Sequence, residues 1–281
     1  MRTGMTKCVF GFAAPLALLV TLTACAGTPA ALEPQAVRAS THTGYLNSSA
    51  LQALATNLPP PPIVGSVEEA ADQARSKDLR RFEGTDRWLL ATSHAEVRSP
   101  LALQHFDCAL GVRFDPQNPH TPATARIFSR LFEDAEAASS LAKLKAYRAR
   151  PVWDDPSRPA CQTLTDAGRA TASYPSGTAT VGAAYGAAMA VISPQDAQAS
   201  KNIGREIGSS RAICGMHYPL DVLAGSTLGE MVFEQAQSSP VFQADLVEAR
   251  QEIIALKAEH KTNPACAAER SALAMTQDLR P

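Results

Sequence analysis

The sequence predicts an all-α protein, a helical bundle, on three observations. Only 6% of its 281 residues are aromatic while Ala and Leu abound, a composition suited to helices rather than a β-sandwich. Apolar residues recur at helical spacing in several long segments, and apolar–polar alternation never persists beyond a few residues. No segment repeats itself. The length is near the upper size of one domain, so one main domain is expected behind a processed leader.

The first element is that leader, residues 1–24, where Arg2 and Lys7 precede an uncharged apolar run over 9–24. It ends in Leu22-Thr23-Ala24-Cys25, which resembles the lipobox of bacterial lipoproteins. The resemblance implies cleavage before Cys25, lipidation of its sulfur and, with Ala26 following, sorting to the outer membrane with the domain facing the periplasm. An ordinary secretory peptide is the alternative, and both export the chain. Losing Arg2 and Lys7 takes the formal charge from −1 to −3, which gives no support for nucleic-acid binding. Beyond the leader and Cys25, the remaining cysteines are Cys108, Cys161, Cys214 and Cys266, which in an oxidising compartment suggest two disulfides in one of three pairings. No Cys-x-x-Cys or His/Cys cluster suggests a metal, and no cofactor is expected.

Residues 25–62 are rich in Ala, Thr, Ser and Pro and end in four prolines, as a flexible tether would; the domain is placed at 63–281. Helical patterns cover 67–82, 102–112 and 121–150, the last broken near 134–140 and closed by Pro151. Residues 170–195 carry no charge, yet Pro175, Pro194 and many small residues argue for a helix in the centre of a bundle rather than a membrane span. Further helices are expected at 219–237 and 240–261.

Three short motifs carry chemistry. Lys143 and Arg150 are seven apart, nearly two helical turns, so on one helix face they form a clamp for a tetrahedral anion. Basic residues at a helix end also simply complement its dipole. Pro175-Ser176-Gly177-Thr178 opens the small-residue helix, where amides and a hydroxyl can meet an anion or the serine can merely cap the helix. Arg211 precedes His217, and Asp221 lies four residues further, across a helix start at Pro219. A carboxylate within reach of one imidazole nitrogen fixes the tautomer and leaves the other nitrogen as nucleophile.

Taken together, Lys143 followed by six residues and Arg150-Pro151, then Pro175-Ser176-Gly177, then Ser210-Arg211 with His217 and Asp221, resemble the three-part signature of the type 2 phosphatidic acid phosphatase superfamily. The soluble, exported class A bacterial acid phosphatases are the branch most similar. The resemblance implies hydrolysis of small phosphate monoesters without metal or cofactor. Lys143, Arg150, Arg211, Ser176 and the Gly177 amide would hold the phosphoryl oxygens. His217 would form a phosphohistidine, with Asp221 orienting its ring.

The family pattern has histidine after Ser-Gly, where this chain has Thr178. A threonine hydroxyl cannot supply a proton near neutral pH, so a general-acid contribution of about 100- to 10,000-fold is in question. Esters with acidic leaving groups should still react. His94 or His105 substituting in space is one alternative, a degenerate phosphate-binding lipoprotein is a second, and an introduced change at Thr178 is a third. Vanadate-dependent haloperoxidase chemistry and lipid phosphate hydrolysis are weaker rivals, the latter because the mature chain lacks the several apolar spans it needs. The sequence specifies no oligomeric state.

Overall fold

The computed structural model describes residues 42–117 and 120–276; among these residues helices, turns and loops account for everything and no strand occurs. The leader and Cys25 lie outside the described residues. The proposed spacer is shorter than the composition suggests, because α1 (Ser48–Asn57) falls within it, capped by Asn47 Oδ1 accepting from Ala50 N at 2.9 Å. Leu51, Leu54, Ala55 and Leu58 are buried against Ala138, Ala142, Leu228 and Val232. A small apolar stripe in an otherwise polar segment was enough to recruit it to the core.

The expected pattern over 67–82 becomes α2 (Val67–Asp78), with Ser66 capping Glu69 N, followed by a 3-10 turn at Leu79–Phe82. Unforeseen α3 (Asp86–Ser93) starts at a Thr85 cap. The pattern over 102–112 divides into a 3-10 turn (Leu101–Phe106) and α4 (Asp107–Leu110), ended by Gly111 in the left-handed region at φ 68°.

The long helix differs from expectation twice. α5 (Pro122–Lys143) runs without a break through 134–140. Its buried Asp134 accepts from the amides of Tyr45 and Leu46 and bonds His42, so a carboxylate at the expected break is satisfied by the N-terminal segment. The helix also ends at Lys143 rather than Arg150. Arg150 is extended (φ −82°, ψ 152°), as a residue before proline prefers, and Pro151 opens the short α6 (Pro151–Asp154) instead of closing α5.

After α7 (Asp166–Ala170), α8 (Gly177–Ile192) occupies the uncharged stretch. It packs against α5, against α9 (Ala197–Ile213) and against α10 (Pro219–Ala236), and nearly all its residues are buried. That surround explains its lack of charge: no face is left for water. Among the described residues no helix is long and apolar enough to cross a membrane. α11 (Pro240–Ala258) and α12 (Cys266–Ala274) complete the fold.

Glycine lets these helices approach closely. A Cβ on Gly204 of α9 would lie 2.5 Å from Gly182 O of α8, and one on Gly182 would lie 2.7 Å from Gly204 O. Both obstacles are backbone, which cannot rotate away. Gly204→Val is therefore expected to destabilise the domain by about 1–3 kcal/mol or more through overpacking, lowering Tm by roughly 3–10 °C. A calorimetric Tm equal to wild type would show that the two helices have room to separate.

Of the three possible pairings, the structure forms Cys108–Cys266 and Cys161–Cys214. The first joins α4 to α12. The second joins the loop before α7 to the end of α9, next to the residues described below.

Candidate active site

The end of α5, the start of α8, the end of α9 and the start of α10 converge on a cavity of about 250 Å³. Local bonding explains the spacing of each motif. At the end of α9, Arg211 O accepts from the amides of Met216 and His217, folding the chain so that His217 stands over the residue six positions before it. Ser176 N donates to Asp221 O at 2.9 Å, tying the start of α8 to the start of α10.

His217 is 3% exposed. Its Nδ1 donates to the Ser173 carbonyl at 2.8 Å, which assigns the proton to Nδ1 and leaves Nε2 with its lone pair. Arg150 Nη1 donates to that Nε2 at 3.0 Å and also to Met216 O at 2.9 Å. Burial, followed by the nearby charges of Arg150, Lys143 and Arg211, holds the imidazole pKa well below its usual value. A neutral ring with a fixed tautomer at the floor of a cationic cavity is poised as a nucleophile.

Asp221 does not bond the ring, contrary to the sequence reading. Its Oδ2 accepts from Ser173 Oγ at 2.6 Å and from Tyr218 N at 2.9 Å, and its Oδ1 accepts from Arg148 Nη1 at 2.6 Å. Pro219 starts a helix whose N3 residue is Asp221, so the carboxylate reaches back to its own helix start rather than sideways. Its influence on His217 passes through Ser173, whose carbonyl holds the imidazole and whose hydroxyl lies 3.4 Å from Nδ1.

The cations come together, though not as two residues of one helix. Lys143 ends α5 and donates to Ala172 O at 3.1 Å and to Pro175 O. Burial and then Arg150 push its pKa down to about 8. Arg150 reaches in from the extended segment. Arg211, 4% exposed, has its Nη2 on Gln162 Oε1 at 2.8 Å, while among the described residues its buried Nε and Nη1 have no partner. Burial and then Arg150 bring its pKa down to about 10, which still leaves it charged near neutrality. Three crowded cations, with N–H groups of Arg211 unused, form a site for an anion.

Gly177 and Thr178 line the cavity as the first residues of α8, whose leading amides have no acceptor within the helix. Ser176 is fully buried as the cap of α8, its Oγ accepting from Ala179 N at 3.3 Å, and it does not line the cavity. The helix-cap reading of this serine is the one its geometry supports.

Sequence reasoning missed four contributors. Arg148 is buried, bonding Asp221 and Asp72 and lying over the Tyr218 ring at 4.2 Å. In an extended segment residues two apart share a face, so Arg148 beside Arg150 was recoverable once Pro151 was taken to disfavour helix. Gln162 gains its place from the Cys161–Cys214 bond, which anchors its neighbour near Arg211. Glu136 lines the cavity with Ser139, Ser140 and Lys143, an i, i+3, i+4, i+7 strip of α5 that the assumed break concealed. Ser173 had no signal, since it acts through its carbonyl.

His94 and His105 do not stand in for the missing histidine. Their rings pack at 5.1 Å, His94 Nδ1 bonds Ser210 Oγ at 2.8 Å and His105 Nε2 bonds Glu96 O at 2.6 Å; neither lines the cavity.

Residues 127–234, which contain all of these motifs, match the model of the PAP2 superfamily. The chain is 32% identical over 213 residues to a non-specific acid phosphatase of Providencia stuartii, covering 75% of this chain and 84% of that protein. It is 31% identical over 198 residues to an acid phosphatase of Zymomonas mobilis subsp. mobilis, covering 70% and 74%. A non-specific acid phosphatase of Salmonella typhimurium is 30% identical over 202 residues, covering 70% and 78%.

Proposed function

This chain belongs to the class A bacterial acid phosphatases of the PAP2 superfamily, and on that premise we propose that it cleaves phosphate monoesters by way of a phosphoryl group carried on His217. The observation that carries the mechanism is the neutral His217 tautomer, Nδ1 on the Ser173 carbonyl and Nε2 facing Arg150, beside the unpartnered N–H groups of Arg211. Nε2 attacks phosphorus while Lys143, Arg150, Arg211 and the first amides of α8 stabilise the charge on the equatorial oxygens. Water then attacks the phosphohistidine and phosphate leaves. Asp221 and Arg148 position Ser173, and Ser176 shapes the start of α8. The reading of a non-catalytic phosphate binder is not favoured.

The working location we propose is the periplasm, with a lipid anchor at Cys25 on the outer membrane. The lipobox-like Leu22-Thr23-Ala24-Cys25 supports this, and so do two disulfides within the domain.

Hydrolysis of nitrophenyl phosphate by the purified domain tests the assignment, with its pH profile. Lys143 holds its proton below about pH 8 and loses it above, with Arg150 opposing the charge and Asp221 and Glu136 favouring it. The cationic form binds the phosphoryl group, so kcat/KM is expected to fall as pH rises through about 8. Lys143→Arg keeps the charge and should remove that limb. Absence of turnover across the range would sink the assignment; an unchanged limb in Lys143→Arg would show that another group titrates there.

A further inference from the structure

We propose that Glu136 is the proton donor of this active site, standing where the chain has threonine at 178. The proposal rests on the phosphatase reading above. Cleaving an alkyl ester requires a proton for the departing alkoxide, and neither Thr178 nor the buried pair His94 and His105 can deliver it. Among the titratable side chains lining the cavity, Lys143, Arg150, Arg211 and His217 are assigned to holding or attacking phosphate, which leaves Glu136.

Its position suits the task. Glu136 lies two turns before Lys143 on α5, on the strip that lines the cavity. Its carboxyl is close to the first turn of α8: a Cβ placed on Gly177 would sit 3.1 Å from Glu136 Oε1, beside Ser139 Oγ at 3.3 Å. Thr178 is the next residue. Glu136 as a whole is exposed and lines the cavity, yet its carboxyl lies against the first turn of α8. Desolvation there raises its pKa above the ordinary carboxylate value. Lys143 on the same helix and Arg98 oppose the rise, and Glu133 reinforces it. A phosphate ester in the cavity adds negative charge nearby and raises the pKa further, so substrate binding favours the protonated, donating form.

The steps balance. As Nε2 of His217 bonds to phosphorus and the ester P–O bond breaks, the Glu136 proton passes to the leaving oxygen and the alcohol departs. The Glu136 carboxylate then takes a proton from water as the water oxygen attacks phosphorus. The P–N bond breaks, its electron pair returns to Nε2, and phosphate leaves with Glu136 protonated again.

The test compares wild type, Glu136→Gln and Glu136→Asp on two substrates, nitrophenyl phosphate and glycerol 2-phosphate, across pH 4 to 8. Glutamine preserves size and lacks the proton. Glu136→Gln is expected to lower kcat/KM on glycerol 2-phosphate by about 100-fold and on nitrophenyl phosphate by no more than about 5-fold, since nitrophenolate leaves without protonation. An unchanged Tm reports an intact fold, since turnover on either substrate also needs Glu136 to activate water in the second step. Glu136→Asp should recover part of the glycerol phosphate rate, and adding Thr178→His to Glu136→Gln should recover more. Equal losses on both substrates, or loss on neither, would overturn the role of Glu136 while leaving the phosphatase assignment standing. Wild type inactive on both would overturn the assignment and this role with it.

Discussion

His217→Ala is expected to lower kcat/KM for nitrophenyl phosphate by at least about 10,000-fold and to leave the domain folded. The proposed nucleophile is the one part of this site that nothing nearby can replace. His94 and His105 are buried against each other outside the cavity, and Lys143 is held by the carbonyls of Ala172 and Pro175. The ring contributes little to the fold through its own bonds, one to a carbonyl and one to a guanidinium. Rapid quenching into alkali, where phosphohistidine survives, should trap labelled phosphate on wild type and none on His217→Ala. Turnover within tenfold of wild type, or label retained by the variant, would place the phosphoryl group elsewhere.

Asp221→Ala is expected to act mainly on stability, with a loss of about 3–5 kcal/mol and a fall in Tm on the order of 10 °C. Asp221 is fully buried, and one carboxylate satisfies Arg148 Nη1, Ser173 Oγ and the Tyr218 amide. Removing it leaves Arg148 buried with only Asp72 to balance its charge. Turnover should also fall about 100-fold, because Tyr218 N, next to His217, and Arg148 lose their acceptor together with Ser173 Oγ. Ser173→Ala separates the two effects. It breaks the link to Asp221 but keeps the carbonyl, so the rate should fall less than tenfold and Tm by a few degrees. An Asp221→Ala protein as stable as wild type would contradict the buried network. Ser173→Ala as slow as Asp221→Ala would show that the hydroxyl, rather than the carbonyl, orients the ring.

Pattern and spacing made the all-α class legible, together with the buried character of the small-residue helix and the grouping of Lys143, Arg150, Gly177, Thr178, Arg211 and His217. Each of these is a local property: a period of 3.6, a run with no charged face, a proline that sets its own φ and disfavours helix before it. The same local reasoning misplaced the end of α5 because it gave Pro151 the role of a stop and overlooked its effect on Arg150. It also placed a break near 134–140, since the partners that satisfy Asp134, Tyr45 and Leu46, lie about 90 positions earlier.

The sequence by itself therefore determined the family and the residues grouped at the proposed site, because their spacing follows from bonds within short loops such as Arg211 O to the His217 amide. Only the tertiary structure decided how they are held. Asp221 reaches His217 through Ser173, 48 positions away, Arg211 finds Gln162 beside a disulfide, and Glu136 meets Gly177 across two helices. Those relations depend on which surfaces are buried together, and distant surfaces pair only when the whole core closes around α8.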